Sequence, residues 1–277
     1  MRTETKIKIF NKLSGLLTDS LTSAAREQSL LNLRRKLEAI VPDIKEQYTA
    51  FKVDNEYLRA KVRNMHAFQI SLVQPVVSQF ESPTIVDIGD SAGTHIQYLK
   101  GLFSDSCSLK CLSVNLEKEA VEKVRQKGIE AIQARAENLV QYDVQADIFL
   151  CFEMLEHLMD PCRFLYELSM KTKARFLILT VPYVKKSRIG LYQIRNNRNE
   201  DFGAETTHIF ELSPEDWKLL FRFTGWRVDH EVVYRQYPRK NWLRLTSYYW
   251  RKYDFEGFFG VRLIPDHSWS SRYQDWS

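Results

Sequence analysis

The 277-residue chain is long enough for one catalytic domain with additions, beyond the commonest domain size of about 100–150 residues. Its 44% hydrophobic and 27% charged residues exclude a mainly disordered chain, and its net charge of +5 admits nucleic acid, anionic lipid or phosphorylated small molecules without demanding any. Cys107, Cys111, Cys151 and Cys162 form no CxxC pair, which predicts free thiols in a reducing compartment and no structural zinc. Met1 leads into polar residues, and there is no apolar run of about 20 residues that could span a bilayer, so cytoplasmic residence is the default expectation.

Residues 1–80 read as helical. Leu30, Leu33, Leu37 and Ile40 form one apolar stripe before Pro42, and a second helix is predicted over Phe51–Phe80, broken or kinked at Pro75. This region is expected to cap a sheet, to form a homodimer surface or to cover substrate. Residues 81–234 then alternate strand and helix. TIVDI at Thr84–Ile88, Leu109–Val114, Ile129–Gln133, Asp147–Phe152 and Arg175–Val181 are short apolar runs suited to a parallel sheet buried on both faces. Tyr183–Thr207 is polar and basic, with KKSR at Lys185–Arg188, and is predicted to be a long loop. Ser213 and Pro214 start a helix that Gly225 ends, before a strand over Trp226–Tyr234. Residues 235–277 form an aromatic, basic extension with a helix near Trp242–Trp250 and a returning strand near Gly260–Ile264, expected to complete the core.

The first strand runs into VDIGDSAGTH, where Asp87, Gly89, Ser91 and Gly93 make a glycine-rich turn that can bring backbone close to a nucleotide-like ligand. The Gly-Lys-Ser/Thr of a phosphate-binding loop is absent. From Thr84 to Tyr234 the sequence resembles the class I S-adenosylmethionine-dependent methyltransferases, through this turn, SVNLEKEAV, RAENL, ADIFLCFEMLEHLMDP and the LILTVP strand end. The resemblance implies an α/β, Rossmann-like, doubly wound seven-stranded sheet with S-adenosylmethionine as cofactor. It assigns Gly89, Asp90, Gly93 and Asp87 to the methionine end. Asn115 stands where relatives carry a ribose-binding acid, with Glu117 as a candidate replacement. Glu137 is placed at the adenine, and Leu116 and Leu139 as pocket walls. Ser91 replaces a glycine usual in the family.

Glu153, Glu156 and His157 in FEMLEH have separations that would share one face of a helix. They could present two carboxylates and an imidazole together, or stabilise an exposed helix. The arrangement resembles that of metal-assisted quinone and small-RNA 2'-O-methyltransferases, and THIFELSPEDW adds His208. That resemblance implies that Glu153, Glu156, His157 and His208 hold Mg²⁺ or another divalent cation. His157 or His208 is then the candidate base, and Tyr183, after Pro182, a candidate acceptor contact. A divalent cation can hold vicinal oxygens and favour loss of a hydroxyl proton. The leading expectation is O-methylation of a sugar or other small-molecule hydroxyl. RNA 2'-O-methylation, quinone-type O-methylation and a noncatalytic S-adenosylmethionine-binding scaffold are the alternatives.

Overall fold

The computed structural model describes residues 2–49, 51–191, 195, 203–204 and 207–272, with side chains from residue 13 onward. In chain order come α1 (Arg2–Glu27), α2 (Leu31–Ile40), α3 (Glu56–Val77), β1 (Thr84–Ile88), α4 (Thr94–Phe103), β2 (Lys110–Asn115), α5 (Lys118–Gln126), β3 (Glu130–Gln133), β4 (Ile148–Phe152), α6 (Pro161–Lys171) and β5 (Phe176–Pro182). A short pair, β6 (Arg188–Ile189) and β7 (Phe210–Glu211), precedes α7 (Pro214–Phe223), β8 (Trp226–Arg235), α8 (Ser247–Tyr253) and β9 (Gly257–Pro265).

Seven strands form one sheet in the order β3-β2-β1-β4-β5-β9-β8, with β9 antiparallel to both β5 and β8. This is the predicted seven-stranded Rossmann-like sheet. The unbroken apolar runs of β4 and β5 follow from burial on both faces. Ile148, Leu150, Phe152 and Ile178 pack with α2, α3 and α4, while Phe149, Cys151, Leu177 and Leu179 pack with α6 and α7. Strand order reverses at β1, which pairs with β2 on one side and β4 on the other. A crevice therefore opens beyond its C-terminal end.

Two helix expectations are corrected. The second helix does not begin at Phe51 but at Glu56, because Asn55 caps it by accepting from the Leu58 N–H at 2.9 Å. Pro75 does not break it; the residue lies inside α3, within its last turn, and so removes only one ladder bond. The helical and strand expectations near Trp242–Trp250 and Gly260–Ile264 meet a 3₁₀ turn over Trp242–Thr246 leading into α8, and β9. Residues 192–194, 196–202 and 205–206 of the predicted loop, and 273–277 of the tail, lie outside the described residues. Among the described residues no helix is long and apolar enough to cross a membrane, and the four cysteines are free.

The N-terminal helices are seated on the sheet by α3, whose Phe68 and Leu72 press against Gly260 of β9. A Cβ there would lie 2.6 Å from Phe68 Cζ and 2.7 Å from Leu72 Cδ1. Gly260→Val is expected to destabilise the chain by about 1–3 kcal/mol through overpacking. Urea unfolding should show a lower midpoint at an unchanged m-value.

Candidate functional site

The chain leaves β1 through a left-handed turn, with φ of +88° at Gly89 and +71° at Gly93. The Gly89 N–H donates to the Val114 carbonyl at 2.8 Å, binding the turn to β2. A Cβ on Gly89 would stand 3.1 Å from Met154 Cγ, so both dihedral and space favour glycine. Gly93 faces Ile129 and Val124 instead and opens α4. Ser91 sits at φ +37°, a left-handed backbone that costs a residue with a Cβ about 1–2 kcal/mol.

Beneath the turn lies a buried polar chain that sequence reasoning missed. His95 Nδ1 is 3.2 Å from Asp87 Oδ2 and 3.1 Å from Asp90 Oδ1, and its Nε2 is 3.1 Å from Gln69 Oε1. Gln69 Nε2 donates to Thr180 Oγ1 at 3.2 Å. Gln69 Oε1 is therefore an acceptor, and both His95 nitrogens can donate. Burial alone would lower the His95 pKa, but Asp90 and then Asp87 outweigh it and raise it to about 10. Burial raises Asp87 to about 7, helped by Asp90 and opposed by His95. The ligand atoms of Asp87, Asp90 and His95 lie within 4.8 Å of one another. An imidazolium already fills the place of a cation there.

The cleft above encloses about 420 Å³, within the range of about 300–1,000 Å³ common for small-ligand sites. Gly89, Asp90, Asn115, Leu116 and Glu137 line it, whereas Asp87 lies below the turn and Leu139 is buried in the core. Asn115 Nδ2 donates to Ser113 Oγ at 2.9 Å, which leaves its amide oxygen as an acceptor, and Glu117 also borders the space.

At the end of β4 the FEMLEH segment is not the α-helix on which its spacing was read. Glu153 takes φ +49°, Leu155–His157 is a single 3₁₀ turn, and α6 begins only where Asp160 accepts from the Arg163 N–H before Pro161. The Asp-Pro start is the stronger local signal. Glu153 and His157 line the cleft, while Glu156 turns inward. His208 arrives through β7: the Ile209 N–H donates to the Glu156 carbonyl at 2.7 Å. The ligand atoms of Glu156, His157 and His208 fall within 4.8 Å of one another, and the two imidazoles stand 4.7 Å apart at 89°.

His157 Nδ1 faces the Thr207 carbonyl at 3.1 Å, an acceptor that favours the proton on Nδ1, and the Ala204 backbone is a second hydrogen-bond partner of the ring. His208 Nδ1 is 3.3 Å from Glu211 Oε1, a contact that favours the same tautomer. Burial, followed by the neighbouring His208, lowers His157 to about 4. Burial raises Glu153 to about 8. Burial and then Glu153 push Glu156 well above the carboxylate range, and among the described residues neither Glu156 oxygen has a hydrogen-bond partner. Two inward carboxylate oxygens without donors beside two imidazole lone pairs are a donor set suited to a divalent cation.

Residues 86–175 match a family model described as a methyltransferase domain. The solved structure of the [4+2]-cyclase SpnF aligns at a TM-score of 0.53 and 10% identity, covering 89% of this chain and 96% of that one. A putative sarcosine dimethylglycine methyltransferase from Galdieria sulphuraria aligns at 0.51 and 13%, covering 76% and 87%. The 1,6-didemethyltoxoflavin-N1-methyltransferase of Burkholderia thailandensis, solved with bound 1,6-didemethyltoxoflavin and S-adenosylhomocysteine, aligns at 0.51 and 10%, covering 73% and 78%. This chain has the class I S-adenosylmethionine-dependent methyltransferase fold. No curated protein sequence matches it.

In this methyltransferase fold the cleft has further walls that the sequence did not mark. Gln47, Tyr48, Phe51, Lys61 and Met65 come from the loop before α3 and from α3 itself. Tyr48 and Phe51 stack at 4.7 Å, and Thr94 of the turn's helix donates to Gln47. Lys61 pairs with Asp254, joining α3 to the segment after α8. Tyr183 is not among the cleft-lining residues; its N–H donates to the Gly257 carbonyl at 2.9 Å and its ring lies beneath the Arg235 guanidinium. Two cations of the KKSR run are paired, Lys185 with Glu256 at 3.2 Å and Arg188 with Glu211.

Gly89→Val is expected to weaken S-adenosylmethionine affinity by about tenfold or more, measured by titration calorimetry on folded protein. An unchanged affinity would remove Gly89 from the cofactor turn.

Proposed function

We propose that this protein is an S-adenosylmethionine-dependent O-methyltransferase acting on a sugar or other small-molecule hydroxyl, with a divalent cation such as Mg²⁺ assisting. The observation that carries the reading is that the ligand atoms of Glu156, His157 and His208 lie within 4.8 Å of one another, with the two histidines on the wall of the cleft that the glycine turn opens and Glu156 buried behind them. In it Gly89, Asp90 and Asn115 bind the cofactor, Leu116 and Glu137 border the adenine, and Asp87, Gly93 and Leu139 support these contacts from below. Glu156, His157 and His208 would hold the cation, with Glu153 beside them.

Bound S-adenosylmethionine supplies an electrophilic methyl group, and the cation supplies positive charge that favours an acceptor alkoxide. The chain's own part is orientation and proton transfer. A bond forms between the acceptor oxygen and the methyl carbon as the carbon–sulfur bond breaks, and the hydroxyl proton goes to a base. His157, neutral above about pH 4, offers its unprotonated nitrogen for either role, cation ligand or base, but not for both at once. Without a cation, His157 or His208 is the base.

RNA 2'-O-methylation is disfavoured by the pairing of Lys185 and Arg188 with carboxylates. A noncatalytic S-adenosylmethionine-binding role draws support from the left-handed Ser91 and from Asn115 in place of an acid. The similarity to a protein described as a cyclase shows that fold alone does not fix the reaction. Methyl transfer to a panel of hydroxyl acceptors, before and after exhaustive chelation, separates these readings. Loss on chelation with recovery on adding Mg²⁺ supports the cation, full retention supports a histidine base, and no transfer across the panel supports the scaffold.

Mg²⁺ or Mn²⁺ is expected to raise the melting temperature of the wild-type chain and to leave Glu156→Gln unmoved, a readout that needs no turnover. A shift of equal size in both proteins would sink the cation site.

Glu153 gives a pH test in chelator. Its folded pKa of about 8 exceeds the ordinary glutamate value of 4.5, so between these values the folded state holds more protons and stability falls as pH rises. Glu153→Gln does not titrate. Its melting temperature is expected to match wild type near pH 4.5 and to exceed it by about 2–4 °C or more above pH 8.

A further inference from the structure

The arm formed by residues 239–253 has two unlike faces. Its inward positions Leu243, Thr246 and Trp250 are buried. Thr246 Oγ1 lies 2.6 Å from Ser20 Oγ, and Asn241 Nδ2 donates to Ser23 Oγ at 2.6 Å, fixing the arm on α1. Its outward positions Trp242, Leu245, Tyr248 and Tyr253 are 67%, 72%, 67% and 64% exposed. The same stretch holds Arg239, Lys240, Arg244, Arg251 and Lys252 and no acidic residue.

Beside this face lies a shallow cavity of about 450 Å³ lined by Lys185, Arg235, Arg239, Arg244 and Arg251. The buried carboxylate nearest to these cations, Glu256, is already taken by Arg251, by Lys185 at 3.2 Å and by the Tyr237 hydroxyl at 2.9 Å. Among the described residues the side chains of Arg239, Lys240 and Arg244 form no ion pair. Lys252 places its ammonium 5.7 Å and 5.2 Å from the ring centres of Tyr248 and Tyr253.

We propose that this arm docks the protein on an anionic phospholipid bilayer, with Trp242, Leu245 and Tyr248 entering the interface and the arginines meeting lipid phosphates. Cations alone fit any polyanion, but Leu245 gains nothing from RNA and would stay in water. A second copy applied through this arm would set the cations Arg239, Lys240, Arg244 and Lys252 against the same four cations. A bilayer surface offers an apolar layer under a negative one, and aromatic rings with long basic side chains suit that boundary. The docking stands apart from the methyl-transfer reading. Its consequence for the cleft follows from chain order: the arm runs directly into Asp254 and Phe255, which line the cleft, so docking brings that wall close to the membrane.

The test is co-sedimentation of the full chain with phosphatidylcholine vesicles, with and without phosphatidylglycerol. Binding is expected with the anionic vesicles, weakened by salt, and reduced about tenfold or more by Leu245→Glu and by Arg244→Glu. S-adenosylmethionine affinity should stay unchanged in both variants, which controls for folding. Absence of binding to anionic vesicles overturns the proposal, as does binding that both variants retain. Binding to a single-stranded RNA probe but not to vesicles overturns it in favour of nucleic acid. Self-association that Leu245→Glu abolishes, without vesicle binding, overturns it in favour of a second copy.

Discussion

A protonated imidazole held between two buried carboxylates ties the molecule together. His95 bridges Asp87 at the end of β1 and Asp90 in the glycine turn, and passes through Gln69 of α3 to Thr180 of β5. The Thr180 hydroxyl in turn bonds the Glu153 carboxyl. Burying two carboxylates without compensation would cost several kcal/mol each. Here one internal cation offsets much of that cost and fixes the turn in place. The cofactor side and the proposed acceptor side are thus joined by a chain of polar contacts that crosses the N-terminal helix.

That link gives α3 two jobs with one packing constraint. The helix can reach His95 and Thr180 with a single glutamine only because it lies close on the sheet, and it lies close because Gly260 presents no side chain to Phe68 and Leu72. From that position its neighbouring residues Lys61 and Met65 become cleft wall. The helix that caps the sheet is therefore also a wall of the cleft.

The sheet was legible because its central strands are buried on both faces, so Thr84–Ile88, Asp147–Phe152 and Arg175–Val181 read as short apolar runs within a residue of β1, β4 and β5. The start of α7 was legible from Ser213 and Pro214. The 3₁₀ turn at Leu155–His157 was not, since spacing of three and four fits an α-helix equally well until the downstream Asp160-Pro161 start is weighed. His95 was missed because a histidine at the second position of a helix has no local mark; its partners are 26 residues back at Gln69, in the preceding strand end at Asp87 and in the turn at Asp90. Phe51 was absorbed into a helix that begins later, and Tyr48 fell between the two predicted helices. The basic character of KKSR was visible, but Glu256 and Glu211 neutralise Lys185 and Arg188 from positions no pattern connects to them.

The ion pair between Lys61 and Asp254 spans most of the chain, and this bears on the order in which the protein can become ligand-competent during synthesis. The stretch 86–175 that carries the glycine turn and FEMLEH leaves the ribosome well before Asp254, Phe255 and Phe258, which close the cleft. At about 5–20 residues per second, the intervening residues take on the order of 4–17 s to make. Through that interval the nascent core lacks the wall of the cleft that Asp254, Phe255 and Phe258 supply. The carboxylates under the turn must rely on His95, which emerges alongside them. An internal counter-ion supplied within eight residues of Asp87 lets the centre of the sheet settle before the last wall of the cleft is made.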